Sequence, residues 1–291
     1  MTQLATPDAL AGEFDGVEVV LWGQRYRFER RGDQLWVDMP DPESGLSKPH
    51  RAHPPDAADR APRVERPVVM LTGSHHYQVL WVPRSMEPGA RELLNLRIVY
   101  LIGERRWIPR SAAFLMPPEI RQGVVPWHMS CIKCHATRGR PGVEAATDVI
   151  EFGISCEACH GPAEEHIRVN QNPLRRYARH LTGGPDSSVT NPAQLDHARA
   201  SHVCAQCHSM LAIPDAEDYI AHGTRFRPGQ DIHETYPNIR GEVLSDEQAP
   251  ERLWGDGDAR VTGGEWVGMS GSRCFTEGDL ACTTCHSMHD A

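Results

Sequence analysis

The sequence predicts an α+β protein: an antiparallel β-rich module over residues 1–115, followed by an irregular, mainly helical and loop region over residues 116–291. Three observations carry this reading. Short runs of β-branched and aromatic residues alternate with polar ones in the first part, separated by turn residues. Beyond Pro117-Pro118 the alternation stops and only short helical signals remain. The pattern C-x-x-C-H then occurs four times, always in the second part.

Taken in order, residues 17–22 are apolar and β-branched, and Gly23 and Gln24 supply a turn. Residues 25–30 place Tyr26 and Phe28 on one face, and Arg31-Gly32-Asp33 turns again before residues 34–39. Residues 40–66 are rich in Pro, Asp and Arg and read as a long surface loop, on which His50 and His53 are solvated. Strands resume at residues 67–71 and 77–82, flanking Gly73-Ser74-His75-His76. A hairpin follows over residues 94–102, turning at Gly103-Glu104 and returning through residues 105–108. In the second part, residues 162–171 suit a helix with Glu164, Glu165 and Arg168 outward. Asn191-Pro192 is an N-cap and first-turn pair for a helix reaching about Cys207. Residues 210–270 show little periodicity and read as an irregular excursion.

The four motifs are CIKCH at 131–135, CEACH at 156–160, CAQCH at 204–208 and CTTCH at 282–286. This pattern is the attachment site of a c-type haem. Two thiols add to the vinyl groups and the following histidine binds the iron. The cofactor-binding residues are therefore Cys131, Cys134, Cys156, Cys159, Cys204, Cys207, Cys282 and Cys285, holding four covalent haem c groups. His135, His160, His208 and His286 are the matching iron ligands. Paired cysteines also serve zinc. Against that use stand the histidine after every second cysteine and the commitment of eight of nine cysteines to the pattern. First-cysteine spacings of 25, 48 and 78 residues exclude a solenoid of equal units and suggest that the first two haems pack together.

A low-spin haem needs a second axial ligand, commonly His or Met. His166, on the helix expected after CEACH, would bind a neighbouring haem rather than its own. His289, three residues after His286, is a second candidate, and His76 or His75 at the strand edge a third. His128, His202 and His233 complete the set. Cys274, the ninth cysteine, reads as a buried apolar thiol. Arg105, Arg106 and Arg110 around Trp107 would either pair with haem propionates or form a solvated charged edge.

A net charge of −9, with propionates adding to it, argues against nucleic acid and leaves redox partner proteins as the expected partners. No apolar run is long enough for a membrane segment, and the sequence says nothing about oligomeric state. Haem attachment of this kind takes place outside the bacterial cytoplasm, so a periplasmic or extracellular location follows. MTQLATPDAL carries no export signal, so one is expected upstream.

CEACHGPAEEH resembles the CxxCHGPxxxH signature of cytochrome c-554-type multihaem proteins, which are related to hydroxylamine-oxidoreductase-like cytochromes. GSHHYQVLW, RRWIPRSAAFL, CIKCHATRG and CTTCHSMH resemble exported multihaem cytochromes often fused to tetratricopeptide repeats. The resemblance runs from about Asp15 onward and implies electron transfer. It also implies a longer protein, with a further haem motif and a W-x-x-S-x-H segment upstream and more haem sites and repeats downstream. Three function classes remain at this point. An electron conduit needs mostly six-coordinate haems. A redox enzyme acting on nitrite, hydroxylamine or a similar small nitrogen compound needs one open iron. A haem-bearing sensory module would bind ligand without turnover.

Overall fold

The alternation in residues 17–40 exists because one side of each strand is buried. The computed structural model describes residues 2–21, 23–44, 61–117, 123–237, 244 and 248–289. His50, His53 and most of the expected loop around them lie outside these. The chain has an α+β fold, with strands first and mainly helices after. It divides into two units, Met1–Gly153 and Ile154–Ala291.

In the first unit, β1 (Thr2–Leu4) precedes β2 (Glu18–Leu21), β3 (Gln24–Arg31), β4 (Gln34–Pro40) and β5 (Arg63–Pro67). Strands β2 to β5 make a four-stranded antiparallel sheet in that order. Val19 opposes Tyr26 and Phe28 opposes Val37, all four buried. Strand β5 falls inside the stretch read as loop. Its Arg63 sits opposite Pro40 and ion-pairs with Asp38 at 2.9 Å. Cross-strand charge pairing thus organises residues whose composition alone suggested a surface loop.

Strands β6 (Met70–Thr72), β7 (Tyr77–Pro83), β8 (Leu93–Asn95), β9 (Ile98–Leu101) and β10 (Arg106–Pro109) join β1 in a second antiparallel sheet. Its order is β1-β6-β7-β9-β10, with β8 also on β7. Residues Gln78 to Val82 of β7 are all buried because both faces of this sheet are covered. Leu80 and Val82 enter a core with Phe14, Phe28, Val37 and Tyr100 from the rest of the unit. Val79 and Trp81 face the other way, onto Met70, Trp127, Ile132 and Ala136. Ile132 lies between the cysteines of CIKCH, so this second face is the platform for the first motif. The turn between β6 and β7 depends on Gly73, at φ +92°, where a Cβ would stand 2.1 Å from the Tyr77 carbonyl oxygen. After α1 (Arg110–Ala113) and α2 (Ile132–His135), a ribbon of β11 (Ala136–Thr137) and β12 (Glu151–Phe152) closes the unit.

The second unit contains α3 (Cys156–His160), α4 (Glu164–Asn170), α5 (Pro173–Thr182), α6 (His197–Ala205), α7 (Ala216–His222), α8 (Ala249–Arg252), α9 (Glu265–Gly271) and α10 (Arg273–Thr276). Most are a turn or two long. Helix α4 matches the expected one, with Glu165 and Arg168 paired at its surface. Helix α5 is an addition to the expected elements, although its signals are ordinary. The Asn172 side chain accepts from the Leu174 amide, Pro173 opens the helix and Gly183 closes it at φ +66°. The helix expected from Pro192 is broken in two. Asn191 caps only a 3-10 turn, Pro192–Gln194, and Leu195 is extended. Asp196 then caps α6 by accepting from the Arg199 amide. Cys274 is exposed on α10, not buried as its composition class suggested. The peptide core is small, centred on Ala205, Phe226, Ile232, Tyr236 and Trp266.

Candidate functional site

In the first unit the CIKCH turn is a single helical turn. The Cys134 and His135 amides both donate to the Cys131 carbonyl, at 3.2 and 2.9 Å. The Thr2 hydroxyl donates to the His135 carbonyl at 2.8 Å, tying the motif to β1. Burial pushes the Cys131 thiol up. Burial also pulls the Arg110 guanidinium down to about 10, with Cys131 opposing that shift. Arg110 donates to the Gly123 carbonyl at 2.6 Å, but its Nε is buried without a partner, and no carboxylate of the described residues pairs with it. The Nδ1 of His128 is likewise buried and unpartnered. Arg105 is exposed, and Arg106 is exposed and paired with Glu104. His75 and His76 lie exposed at the β6–β7 turn, one of them touching Ser74. The next residue, Tyr77, packs in the same cluster as Cys131 and Ile132.

In the second unit three motifs converge. Gln206, inside CAQCH, donates to the carbonyl of Ala158, inside CEACH, at 2.9 Å. The Cys282 amide of CTTCH donates to Ser201 Oγ on α6 at 3.3 Å. A hydrogen bond with Cys282 pushes the Cys204 thiol well up, with burial adding to it. Within the second unit the long gaps are bridged, because α6 and the 3-10 turn Cys282–Thr284 pack on each other.

His160 and His208 each have one ring nitrogen committed. His160 Nδ1 lies 2.7 Å from the Thr190 carbonyl, which can only accept, so Nδ1 carries the proton and Nε2 keeps its lone pair. His208 Nδ1 lies 2.9 Å from Glu265 Oε2, and the Trp266 amide donates to the His208 carbonyl at the same distance. Burial alone would raise Glu265, yet the His208 hydrogen bond and backbone donors leave its carboxyl below the usual range. This is the outer-shell pattern that orients a metal-binding imidazole. His286 is exposed.

Among the other candidates, His289 faces His160 with ring centroids 5.9 Å apart and planes 12° apart. Metal–imidazole bonds of about 2.0–2.1 Å would put two opposed rings roughly 6 Å apart. The ring separation alone matches that of two imidazoles on one metal. His166 is engaged differently, with Nδ1 at 3.2 Å from Asp186 and from Asn170. His202 and His233 come together around Asp231, a residue that sequence reasoning passed over. The signal available was D-x-H within DIHE, where Asp231 caps the turn Ile232–Glu234. Among the described residues this is the one group of three or more His, Cys, Asp and Glu ligand atoms that converges. No C-x-x-C-H thiol of the described residues belongs to a converging group of three or more such ligand atoms.

No family model matches the chain. Over 106 residues it is 27% identical to the multiheme cytochrome MtrA of Shewanella baltica (strain OS185). The chain is distantly similar to multihaem cytochromes. The alignment takes in 30% of this chain and 32% of MtrA, so the chain spans about a third of the relative it matches. The crystal structure of the outer cell wall cytochrome OcwA aligns with 66% of this chain and 37% of its own, at a TM-score of 0.41 and 21% identity. No helix of the described residues is long and apolar enough to cross a membrane.

Proposed function

We propose that this chain is the tetrahaem part of an exported c-type cytochrome, passing electrons between redox partner proteins through haems held close together. The observation that carries the reading is the convergence of CEACH, CAQCH and CTTCH in one unit, through Gln206 on Ala158 and Ser201 on Cys282. When bound, haem c supplies a one-electron iron couple, and the protein sets its potential by ligands, burial and hydrogen bonds. His160 and His208 would present Nε2 to iron, since Thr190 and Glu265 hold their Nδ1 atoms. In the first unit, Arg110 is a buried cation without a carboxylate among the described residues, beside Cys131, and suits an anionic propionate. In the second unit, Ile167, Leu174, Tyr177 and Leu181 are exposed beyond a small peptide core, apolar surface that suits porphyrin. The test is intact mass after expression in a host able to mature c-type cytochromes. Four haem units should remain on the chain after acid acetone and denaturant. A haem-free, zinc-loaded product would sink the reading.

Glu265 gives this reading a more specific consequence. A carboxylate accepting from His208 Nδ1 gives the imidazole anionic character and favours ferric iron. Glu265→Gln keeps the hydrogen-bond acceptor and removes the charge. One haem should then shift to higher reduction potential in a spectroelectrochemical titration while the other three hold theirs. An unchanged set of potentials would remove Glu265 from the tuning of that site.

A further inference from the structure

We propose that His202, Asp231 and His233 bind one divalent first-row metal ion of zinc-like preference, separately from the C-x-x-C-H motifs. Two imidazoles and a carboxylate are a donor set such cations accept, with water completing the shell. All three donor atoms lie within 4.8 Å of one another. Asp231 Oδ1 is 2.9 Å from His233 Nδ1 and 3.6 Å from His202 Nδ1. Donors on a tetrahedral zinc stand about 3.4 Å apart, so closure needs movements of about 1 Å or less.

Each ligand is positioned by a different constraint. His202 is 5% exposed on α6 and wedged edge-on against Trp266 at 5.2 Å, so its ring has little freedom. Burial favours its neutral form, which is the metal-binding one. Asp231 is fixed because its carboxylate accepts from the His233 amide at 3.0 Å. His233 is exposed, which gives the ion a way in and the ring freedom to adjust. A turn cap explains Asp231 and His233 alone. It does not explain why a buried imidazole from another helix, whose Nδ1 accepts from the Ile232 amide at 3.4 Å, also stands 3.6 Å from the same carboxylate oxygen. Metal binding would replace the proton that now holds His233 against Asp231. It would also pin α6, which runs into CAQCH, to the turn Ile232–Glu234.

The experiment uses the haem-loaded chain, stripped with a chelator that leaves covalent haem in place, then given zinc and freed of excess by gel filtration. Elemental analysis against haem absorbance should find one zinc retained per chain. Asp231→Asn and His233→Ala, both at accessible positions, should weaken retention at least about tenfold with haem content unchanged. His222→Ala, at an exposed histidine paired with Asp218, should retain zinc as the native chain does. The proposal is overturned by absence of stoichiometric zinc, by equal retention in the two ligand variants, or by equal loss in His222→Ala. It is also overturned if His233→Ala turns a haem high-spin, since His233 would then be an iron ligand.

Discussion

Replacing both thiols of the second motif, Cys156→Ala with Cys159→Ala, is expected to cost the second unit its fold rather than one cofactor. The hydrophobic cluster among that unit's described residues is small, centred on Ala205, Phe226, Ile232, Tyr236 and Trp266. The unit's longest helix, α5, buries no residue at all. On the proposed reading, further apolar contact would come from the haems attached to the chain. Emptying a site formerly filled by one large aromatic side chain costs about 3–5 kcal/mol, and a porphyrin is larger than any side chain. The loss is therefore comparable with a domain's whole stability of about 5–15 kcal/mol. Helix α3 also carries the carbonyl that Gln206 holds, so damage at CEACH reaches CAQCH directly. The measurements are soluble yield and the spectra of the remaining haems in the variant. A stable variant with three unaltered haem spectra would show that the cofactors do not share a core.

Much of the first unit was legible in the chain because a β-strand writes its burial with period two. Tyr26 and Phe28, set against Val19 and Val37, are visible in the amino-acid order as plain alternation. Strand β5 was not, since Arg63 to Pro67 is held by pairing with Asp38 and by register on β4, neither of which is local. In the second unit the motifs were legible as chemistry and illegible as geometry. Which motifs of that unit approach one another depends on long-range packing of α6 against the turn at Cys282, and sequence spacing does not encode it. The partners of His160 and His208 were also hidden. Thr190 is an ordinary loop residue whose carbonyl happens to lie opposite, and Glu265 is 57 residues from His208. Asp231 was missed for a different reason. Its short-range role as a turn cap is common, and only the arrival of His202 from another helix gives it a second meaning.

His289→Ala is expected to convert the haem of the second motif from low to high spin and to open it to carbon monoxide. His166, six residues after His160 in CEACHGPAEEH, is expected from the sequence to serve a neighbouring haem rather than this one. The geometry favours His289 here. Its ring stands opposite His160 at 5.9 Å and 12°, near the separation of two imidazoles sharing one metal. The ring of His166 faces no motif histidine of the described residues as His289 faces His160. The two variants therefore separate cleanly. His289→Ala should raise the high-spin fraction by one haem in four and bind one equivalent of carbon monoxide. His166→Ala should leave the second-motif haem low-spin, whatever it does elsewhere. If His289→Ala keeps all four spectra unchanged, His289 is a surface residue and the opposition to His160 has no chemical content. If the native chain already binds carbon monoxide and reduces nitrite or hydroxylamine, an iron is open without mutation, and the conduit gives way to an enzyme.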